Sequence, residues 1–275
     1  MRYAIALLTS MLLLLSGCGE DEKAKEDTAN KGVEQTQSNQ VTKPNKAEIN
    51  KEVPKETAAK PIEEISQTYQ VNLTNWKIEP IEDGEKKVAL LTIDDAPDRY
   101  SLAMAKKLKE MNASAIFFVN GHFLESEAQQ KILKQIYDMG FEIGNHTYSH
   151  AVLPELDEET QKEEIIKVND MVETVTGERP RFFRAPYGQN TDFSKQIAKE
   201  EKMQLMNWTI GYDWEKQYQD KDALVKVMLT SKELYPGANL LMHDRKWTND
   251  AMSDLVEGLR AKGYRVINPR EIKSF

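Results

Sequence analysis

The chain has 275 residues and a single cysteine, Cys18, which excludes an intramolecular disulfide, a cysteine-based zinc site and a paired-cysteine redox motif. Its 37 basic and 45 acidic side chains give a net charge of −8, which argues against a protein that coats nucleic acid. Apolar residues make up only 40%, so part of the chain is expected to lie outside a packed core. Chemistry that needs imidazole must use the four histidines, which are His122, His146, His150 and His243.

The first residues have the layout of a secretory signal, with a basic start, a short apolar run and small residues before Cys18. The run is shorter than the roughly 20 residues that a membrane-spanning helix needs. The sequence Leu-Ser-Gly-Cys that ends at Cys18 resembles a bacterial lipobox, whose cysteine is lipidated after cleavage. An ordinary signal peptide with a chance cysteine is the alternative. We expect residues 1–17 to be a lipoprotein signal and the protein to be extracytoplasmic, lipid-anchored to the bacterial cell membrane.

Residues 18–68 are predicted to form a lipidated, largely disordered tether. Beyond the cysteine this segment contains no aromatic residue and no leucine, and it is rich in Lys, Glu, Asn, Gln and Thr. Such a composition cannot bury enough apolar surface to offset the entropy lost on ordering. Order is expected from Tyr69, with residues 69–84 as a lead-in segment and residues 85–275 as one domain.

From residue 85 the hydrophobic pattern alternates between strands and helices. Apolar runs predict strands at residues 88–93, 115–119, 141–144, 182–184, 204–208, 239–243 and 264–267. Spacing of three to four residues predicts helices near residues 102–111, 132–139, 158–176, 192–201, 222–231 and 250–262. Asp157 should cap the longest helix and Gly177 should end it. Parallel strands joined by crossover helices follow, so the fold class is α/β, either a compact barrel or a doubly wound open sheet.

Polar and charged residues stand at the carboxyl ends of five predicted strands. They are Asp94-Asp95, Asn145-His146 with His150 close behind, Arg184, Asp213-Trp214 and His243-Asp244. In parallel α/β folds these strand ends lie on one face, and that face holds the functional site. The strand interiors are otherwise apolar, so core packing does not account for the pattern.

His146 and His150 have a spacing that would place two imidazoles on one face if the segment is a helical turn. Alone the signal is weak, because paired surface histidines are common. With one carboxylate from the neighbouring aspartates it makes a two-histidine, one-aspartate metal site with positions open for water and substrate. The second carboxylate could then act as a base on water at the metal. The competing interpretation of Asp94 and Asp95 is a helix cap and a turn residue.

Four short stretches stand in order along the chain: Leu-Thr-Ile-Asp-Asp-Ala-Pro at 91–97, Gly-Asn-His-Thr-Tyr-Ser-His at 144–150, Phe-Arg-Ala-Pro-Tyr at 183–187 and Leu-Met-His-Asp at 241–244. Together they resemble the signature motifs of the polysaccharide deacetylase family, the chitooligosaccharide-deacetylase homology domain of carbohydrate esterase family four. The resemblance covers residues 86–275 and implies that residues 85–275 are the catalytic domain. It also implies a distorted (β/α)7 barrel with one divalent metal ion, commonly Zn2+, with Co2+ or Ni2+ as alternatives.

The resemblance assigns the metal and the base. The implied metal ligands are Asp95, His146 and His150. Asp94 would be the general base that deprotonates the attacking water. Arg184 would pair with Asp94 and position it.

The resemblance also assigns the other catalytic roles. His243 would be the general acid that protonates the leaving amine. The backbone N–H of Tyr187 would stabilise the tetrahedral oxyanion together with the metal. Leu241 and Trp214 would line the pocket for the acetyl methyl group.

Two parts of the sequence depart from the family's pattern. Ile93 and Ala96 stand where the first motif usually has Phe and Gly. The fifth strand usually leads to an aspartate that tunes the catalytic histidine, but Gly211 stands at that place. Asp213 is the candidate substitute.

The resemblance implies a metal-dependent hydrolase that removes acetyl groups from an N-acetylated extracellular glycan. The expected substrate is N-acetylglucosamine of peptidoglycan. One alternative is another polymer, such as a chitin-like or biofilm glucosamine polymer or O-acetyl xylan. Another is a glycan-binding lipoprotein with vestigial activity. The expected partners are the acetylated glycan and, through Cys18, the membrane; no nucleic acid and no protein partner is inferred.

Overall fold

The computed structural model describes residues 65–274, so Cys18, the predicted signal and most of the predicted tether lie outside the described residues. The first elements are two short antiparallel strands, β1 Tyr69–Val71 and β2 Ile78–Pro80. Both lie in the segment that the sequence pattern treats as a lead-in. Their buried side chains join the same apolar cluster as Val88 of the main sheet, so this ribbon packs as part of the domain.

The other strands form one parallel sheet in the spatial order β7-β6-β5-β4-β3-β8, with β9 paired to β3. Their bounds are β3 Val88–Ala96, β4 Ile116–Val119, β5 Glu142–Asn145, β6 Phe182–Phe183, β7 Gln204–Leu205, β8 Ala238–His243 and β9 Arg265–Val266. The segment after β7 makes a parallel bridge to β8 between Ile210 and Leu240. That bridge brings the two ends of the sheet together, so the sheet is curled and the predicted barrel is confirmed over the open sheet.

Six helices connect the strands of the described region: α1 Ser101–Glu110, α2 Glu127–Asp138, α3 Glu158–Thr176, α4 Asp192–Glu200, α5 Lys221–Thr230 and α6 Lys246–Ala261. The predicted ends of α3 are confirmed: Asp157 accepts a hydrogen bond from the Thr160 N–H, and Gly177 takes a φ of 88°. Helix α6 begins four residues before the predicted start, because Trp247 and Thr248 pack inward in a first turn that is polar in sequence. None of the helices in residues 65–274 is both long enough and apolar enough to cross a membrane.

Strand β3 shows how the fold positions a site. Its side chains alternate between two surroundings, as the two-residue period of a strand requires. Val88 and Leu90 belong to the cluster inside the curl, whereas Leu91 belongs to the cluster shared with the helices. Thr92 and Asp94 continue the inner row and are buried, so the inside of the curl changes from apolar to polar towards the carboxyl end of the sheet.

Candidate active site

A buried ion pair forms the base of the site. Arg184 follows β6 and donates from Nη1 to Asp94 Oδ1 at 2.6 Å and to Thr92 Oγ1 at 2.8 Å. Its other nitrogens donate to the carbonyl oxygens of Met206 and Asn207 at 3.3 and 2.9 Å. Burial lowers the pKa of Arg184, and the charge of Asp94 opposes that shift. The guanidinium therefore fixes one oxygen of the Asp94 carboxylate and leaves the other directed at the cluster described next.

Asp95, His146 and His150 each offer a ligand atom, and the three atoms lie within 4.8 Å of one another. His146 Nδ1 is 2.6 Å from the carbonyl oxygen of Arg184. Because a carbonyl only accepts, Nδ1 carries the proton and Nε2 presents its lone pair to the cluster. Burial lowers the pKa of His150, which favours the neutral imidazole that binds metals. The donor set fits a divalent metal ion with open coordination positions.

The backbone of the site is held in unusual conformations. Asp95, Thr147, His150 and Tyr187 have φ of 59°, 66°, 61° and 58°, in the left-handed region that non-glycine residues seldom adopt. Each costs on the order of 1–3 kcal/mol and is typical of functional sites. Residues 146–150 form no helix, so the condition under which the spacing alone would pair the two imidazoles is not met. Left-handed turns bring the imidazoles together instead.

Arg245 contacts the metal cluster, the name used below for the three side chains of Asp95, His146 and His150. The sequence pattern did not predict this contact. Its Nη2 donates to Asp95 Oδ2 at 2.7 Å, while Asp95 Oδ1 lies 3.7 Å from His150 Nε2. Burial would raise the pKa of Asp95, but the charge of His243 and the other neighbouring cations outweighs burial and lowers it. The carboxylate thus divides its two oxygens between the guanidinium and the metal cluster. A lone arginine in a loop has no spacing that could have revealed this.

His243 at the end of β8 pairs with the fully buried carboxylate of Asp213. His243 Nδ1 donates to Asp213 Oδ1 at 2.7 Å, and the His243 backbone N–H donates to Oδ2 at 2.6 Å. Thr248 Oγ1 and Trp247 Nε1 add hydrogen bonds to the Oδ2 and the carbonyl oxygen of Asp213. Burial lowers the pKa of His243, but the charge and hydrogen bond of Asp213 outweigh it, so the pKa is raised. Asp213 therefore occupies the place expected of the histidine's partner.

The departures from the family's pattern have local explanations. A Cβ at Gly211 would lie 2.7 Å from the Trp214 ring and 2.9 Å from the carbonyl oxygen of Leu241, so a side chain there would displace the indole. Ala96 is buried, and it is not among the residues with positive φ, whereas Asp95 is. An alanine therefore fits the first motif without strain at its own position.

One cavity of about 860 Å³ joins these groups. Nine of the predicted site residues line it, and they are Asp94, Asp95, His146, His150, Tyr187, Asp213, Trp214, Leu241 and His243. Arg184 lies behind Asp94 and is fully buried. Tyr187 and Trp214 are 60% and 46% exposed, so both rings face the opening. His122, Phe123 and Arg245 also line the cavity, although the sequence pattern placed none of them in the site.

The strand end that carries His243 also carries a structural carboxylate. Asp244 is buried and accepts hydrogen bonds from the backbone N–H groups of Asp98, Tyr100 and Ser101 and from Ser101 Oγ. Helix α1 begins at Ser101, and Tyr100 makes no side-chain cap. Asp244 therefore caps α1 from across the sheet and fixes the loop that follows Asp95.

The fold and the site define an α/β barrel protein in which a three-residue candidate metal site lies beside an Asp–Arg pair and a His–Asp pair. Residues 81–206 match the sequence profile of the polysaccharide deacetylase family. The chain is 30% identical over 189 residues to the peptidoglycan-N-acetylglucosamine deacetylase of Bacillus cereus, covering 66% of each protein. The chain belongs to the polysaccharide deacetylase family, carbohydrate esterase family four.

Solved structures agree with this assignment. A family-four pseudoenzyme from Bacillus anthracis has a TM-score of 0.61 at 30% identity, over 68% of this chain and 67% of that one. The peptidoglycan deacetylase PdaC from Bacillus subtilis has a TM-score of 0.58 at 28% identity, over 66% of this chain and 88% of the solved one. The full-length curated PdaC is matched over only 40% of its length, so that relative is much longer than the shared segment.

Proposed function

We propose that the protein is a metal-dependent carbohydrate deacetylase that hydrolyses the amide bond of an N-acetylated extracellular glycan. The observation that carries the proposal is the meeting of three groups in one cavity. These are the metal cluster of Asp95, His146 and His150, the Asp94–Arg184 pair and the His243–Asp213 pair. Peptidoglycan N-acetylglucosamine is the first candidate substrate, because the Bacillus cereus relative is named for that activity.

The chain's own residues supply the proton transfers. A divalent cation, with Zn2+ as the first candidate, would supply Lewis acidity at the acetyl carbonyl when bound by the three ligands. Asp94 accepts the proton of the attacking water at Oδ2, since Oδ1 is held by Arg184. His243 donates its Nε2 proton to the leaving amine, since Nδ1 is held by Asp213. An amide needs both a strong nucleophile and an acid for its poor leaving group.

The remaining residues position the acetyl group. The N–H of Tyr187 lies in a left-handed turn beside the metal cluster, and its ring packs edge-on against His150 with centroids 5.0 Å apart. That N–H is the proposed donor to the developing oxyanion. Trp214 packs edge-on against His243 at 5.7 Å, and with Leu241 it forms the apolar wall for the methyl group.

Family membership alone does not establish activity, because the Bacillus anthracis relative is described as a pseudoenzyme. The alternative function is therefore a glycan-binding lipoprotein with vestigial activity. The complete set of acid, base and metal-ligand side chains in this chain favours catalysis. The PdaC relative is named as a peptidoglycan-N-acetylmuramic acid deacetylase, so muramic acid must be tested beside glucosamine.

The deciding experiment measures acetate released by the full chain with added Zn2+. The substrates are peptidoglycan, N-acetylglucosamine oligomers and O-acetyl xylan, and the released amine is assigned to glucosamine or muramic acid. Release from peptidoglycan that is lost in Asp94→Asn supports the proposal. Metal binding without release from any substrate would leave the glycan-binding alternative.

We also propose that the protein is anchored outside the cell through lipid on Cys18. The lipobox-like sequence that ends at this cysteine supports the proposal. Labelling cells with a fatty-acid analogue tests it. The wild-type chain should carry the label in the membrane fraction, and Cys18→Ala should not.

A further inference from the structure

His122 lies on the cavity wall in a well-defined orientation. It follows β4 in a single 3-10 turn, Gly121–Leu124. Its backbone N–H and its Nδ1 both donate hydrogen bonds to the carbonyl oxygen of Tyr148, at 2.9 and 2.8 Å. Its ring packs against Phe123, with the two centroids 4.1 Å apart. Fixing an exposed side chain costs conformational entropy. An exposed ring that is held by a hydrogen bond and by ring packing, on a backbone that is itself hydrogen-bonded, calls for a functional explanation.

Contacts of Tyr148 hold the 3-10 turn of His122 against residues 146–150, the loop that carries the two histidine ligands. A Cβ at Gly121 would lie 2.3 Å from the Tyr148 ring, so only glycine permits the close approach. Lys167 Nζ covers the same ring at 3.4 Å from its centroid. Tyr148 stands between the two histidine ligands, so the position of His122 is tied to the metal cluster through one peptide segment.

The topology places this wall on the other side of the carboxylates from the proposed acetyl pocket. Strands β4 and β8 flank β3 on opposite sides. Leu241 and His243 belong to β8, whereas His122 and Phe123 follow β4, and all of them line the same cavity. The cavity of about 860 Å³ is near the upper end of the roughly 300–1,000 Å³ that ligand sites span. It therefore has room for more than the acetylated sugar.

We propose that His122 and Phe123 bind the sugar residue next to the one that is deacetylated, which makes them specificity-determining residues for glycan oligomers. The carbonyl oxygen of Tyr148 only accepts, so His122 Nδ1 donates to it, and Nε2 is the ring nitrogen left to bond with a sugar hydroxyl. The Phe123 ring offers an apolar surface for the sugar's C–H face. The proposal rests on the proposed function for the identity of the glycan.

The test compares His122→Asn with His122→Ala on an N-acetylglucosamine tetrasaccharide and on the monosaccharide. An asparagine amide can still donate to Tyr148 but offers nothing at the Nε2 position. We expect both variants to raise KM for the tetrasaccharide about 3- to 10-fold, the loss of one hydrogen bond, with kcat unchanged and no effect on the monosaccharide. Wild-type behaviour of His122→Asn with a defect only in His122→Ala would mean that the ring merely anchors the turn, and would overturn the proposal.

Calorimetry of tetrasaccharide binding separates this proposal from the proposed function. Measured in an Asp94→Asn background, added His122→Asn or Phe123→Leu should weaken binding by a similar factor. If the wild type releases no acetate but these variants still weaken binding, the deacetylase assignment fails and the sugar contact stands. Equal affinity with and without His122→Asn overturns the contact. Lys131→Ala, on the exposed face of α2, is the matched control and should bind like its parent.

Discussion

His243 and Asp213 are joined by two hydrogen bonds through one carboxylate. The imidazole Nδ1 donates to Oδ1 at 2.7 Å and the His243 backbone N–H donates to Oδ2 at 2.6 Å. The same Oδ2 also accepts from Thr248 Oγ1 at 2.7 Å. The buried carboxylate is thereby fixed in orientation, it stabilises the imidazolium form, and it leaves Nε2 as the ring nitrogen free to act in the cavity.

Asp213→Asn should move the alkaline limb of the pH–rate profile to lower pH. Burial alone lowers the pKa of His243, and Asp213 is the main group that raises it. A general acid must be protonated, so activity is present below the raised pKa and is lost as pH rises through it. Removing the charge lowers that pKa, and kcat near neutral pH should fall by about 100-fold. The measurement is kcat/KM against pH.

Thr248→Val is the control for this change. It removes one hydrogen bond to Asp213 Oδ2 but keeps the carboxylate charge, so the alkaline limb should move less than in Asp213→Asn. If the alkaline limb does not move in Asp213→Asn, the limb does not report the ionisation of His243.

Arg184→Met should destabilise the fold by about 3–5 kcal/mol, because it leaves the Asp94 carboxylate buried without its partner. The side chain of Arg184 is fully buried and that of Asp94 is 3% exposed. Urea unfolding followed by circular dichroism measures the loss. Lys221→Met removes a lysine from the exposed pair with Asp254 and should leave the unfolding midpoint nearly unchanged. Equal destabilisation by the two changes would contradict the account of the buried pair.

The sequence pattern predicts what is local and misses what is distant. The ends of α3 follow from Asp157 and Gly177, because a cap and a left-handed terminator act within a few residues. The carboxyl-end rule places the candidate site residues on one face. That rule cannot show that left-handed turns orient the imidazoles of His146 and His150. It also cannot show that Arg245 meets Asp95 across 150 positions, because such a contact leaves no periodic signal.

Asp244→Ala should weaken the start of α1. Three backbone N–H groups and one hydroxyl lose a buried acceptor, although Asp244 is more than 140 residues away in sequence. Leaving a buried donor unsatisfied costs about 1–3 kcal/mol, and the N–H and hydroxyl of Ser101 are both buried, so a loss of about 2–6 kcal/mol is expected. Hydrogen exchange should speed up at the amides of Tyr100 and Ser101 first. Unchanged exchange there would contradict the capping role.

Gly211→Ala should impair substrate binding as well as stability. The new methyl group would lie 2.7 Å from the Trp214 ring, so the indole that is proposed to form the acetyl wall must move. Overpacking of this kind costs about 1–3 kcal/mol. Gly177→Ala is the control: its φ of 88° makes alanine strained, but no atom lies within 4 Å and it is remote from the cavity. Both variants should lose stability, and only Gly211→Ala should raise KM. A normal KM in Gly211→Ala would show that Trp214 does not form the wall.

His150→Ala should abolish stoichiometric metal binding, whereas His122→Ala should retain it. Both histidines line the cavity, but only His150 offers a nitrogen within 4.8 Å of the other two ligand atoms. Elemental analysis after dialysis against Zn2+ should give about one ion per chain for the wild type and His122→Ala, and close to none for His150→Ala. Added Zn2+ at 100 times its Kd should also stabilise the metal-binding proteins by about 2.7 kcal/mol in thermal unfolding, and should leave His150→Ala unchanged. If His122→Ala loses the ion, His122 is also a metal ligand. If His150→Ala keeps the ion, His150 is not a ligand.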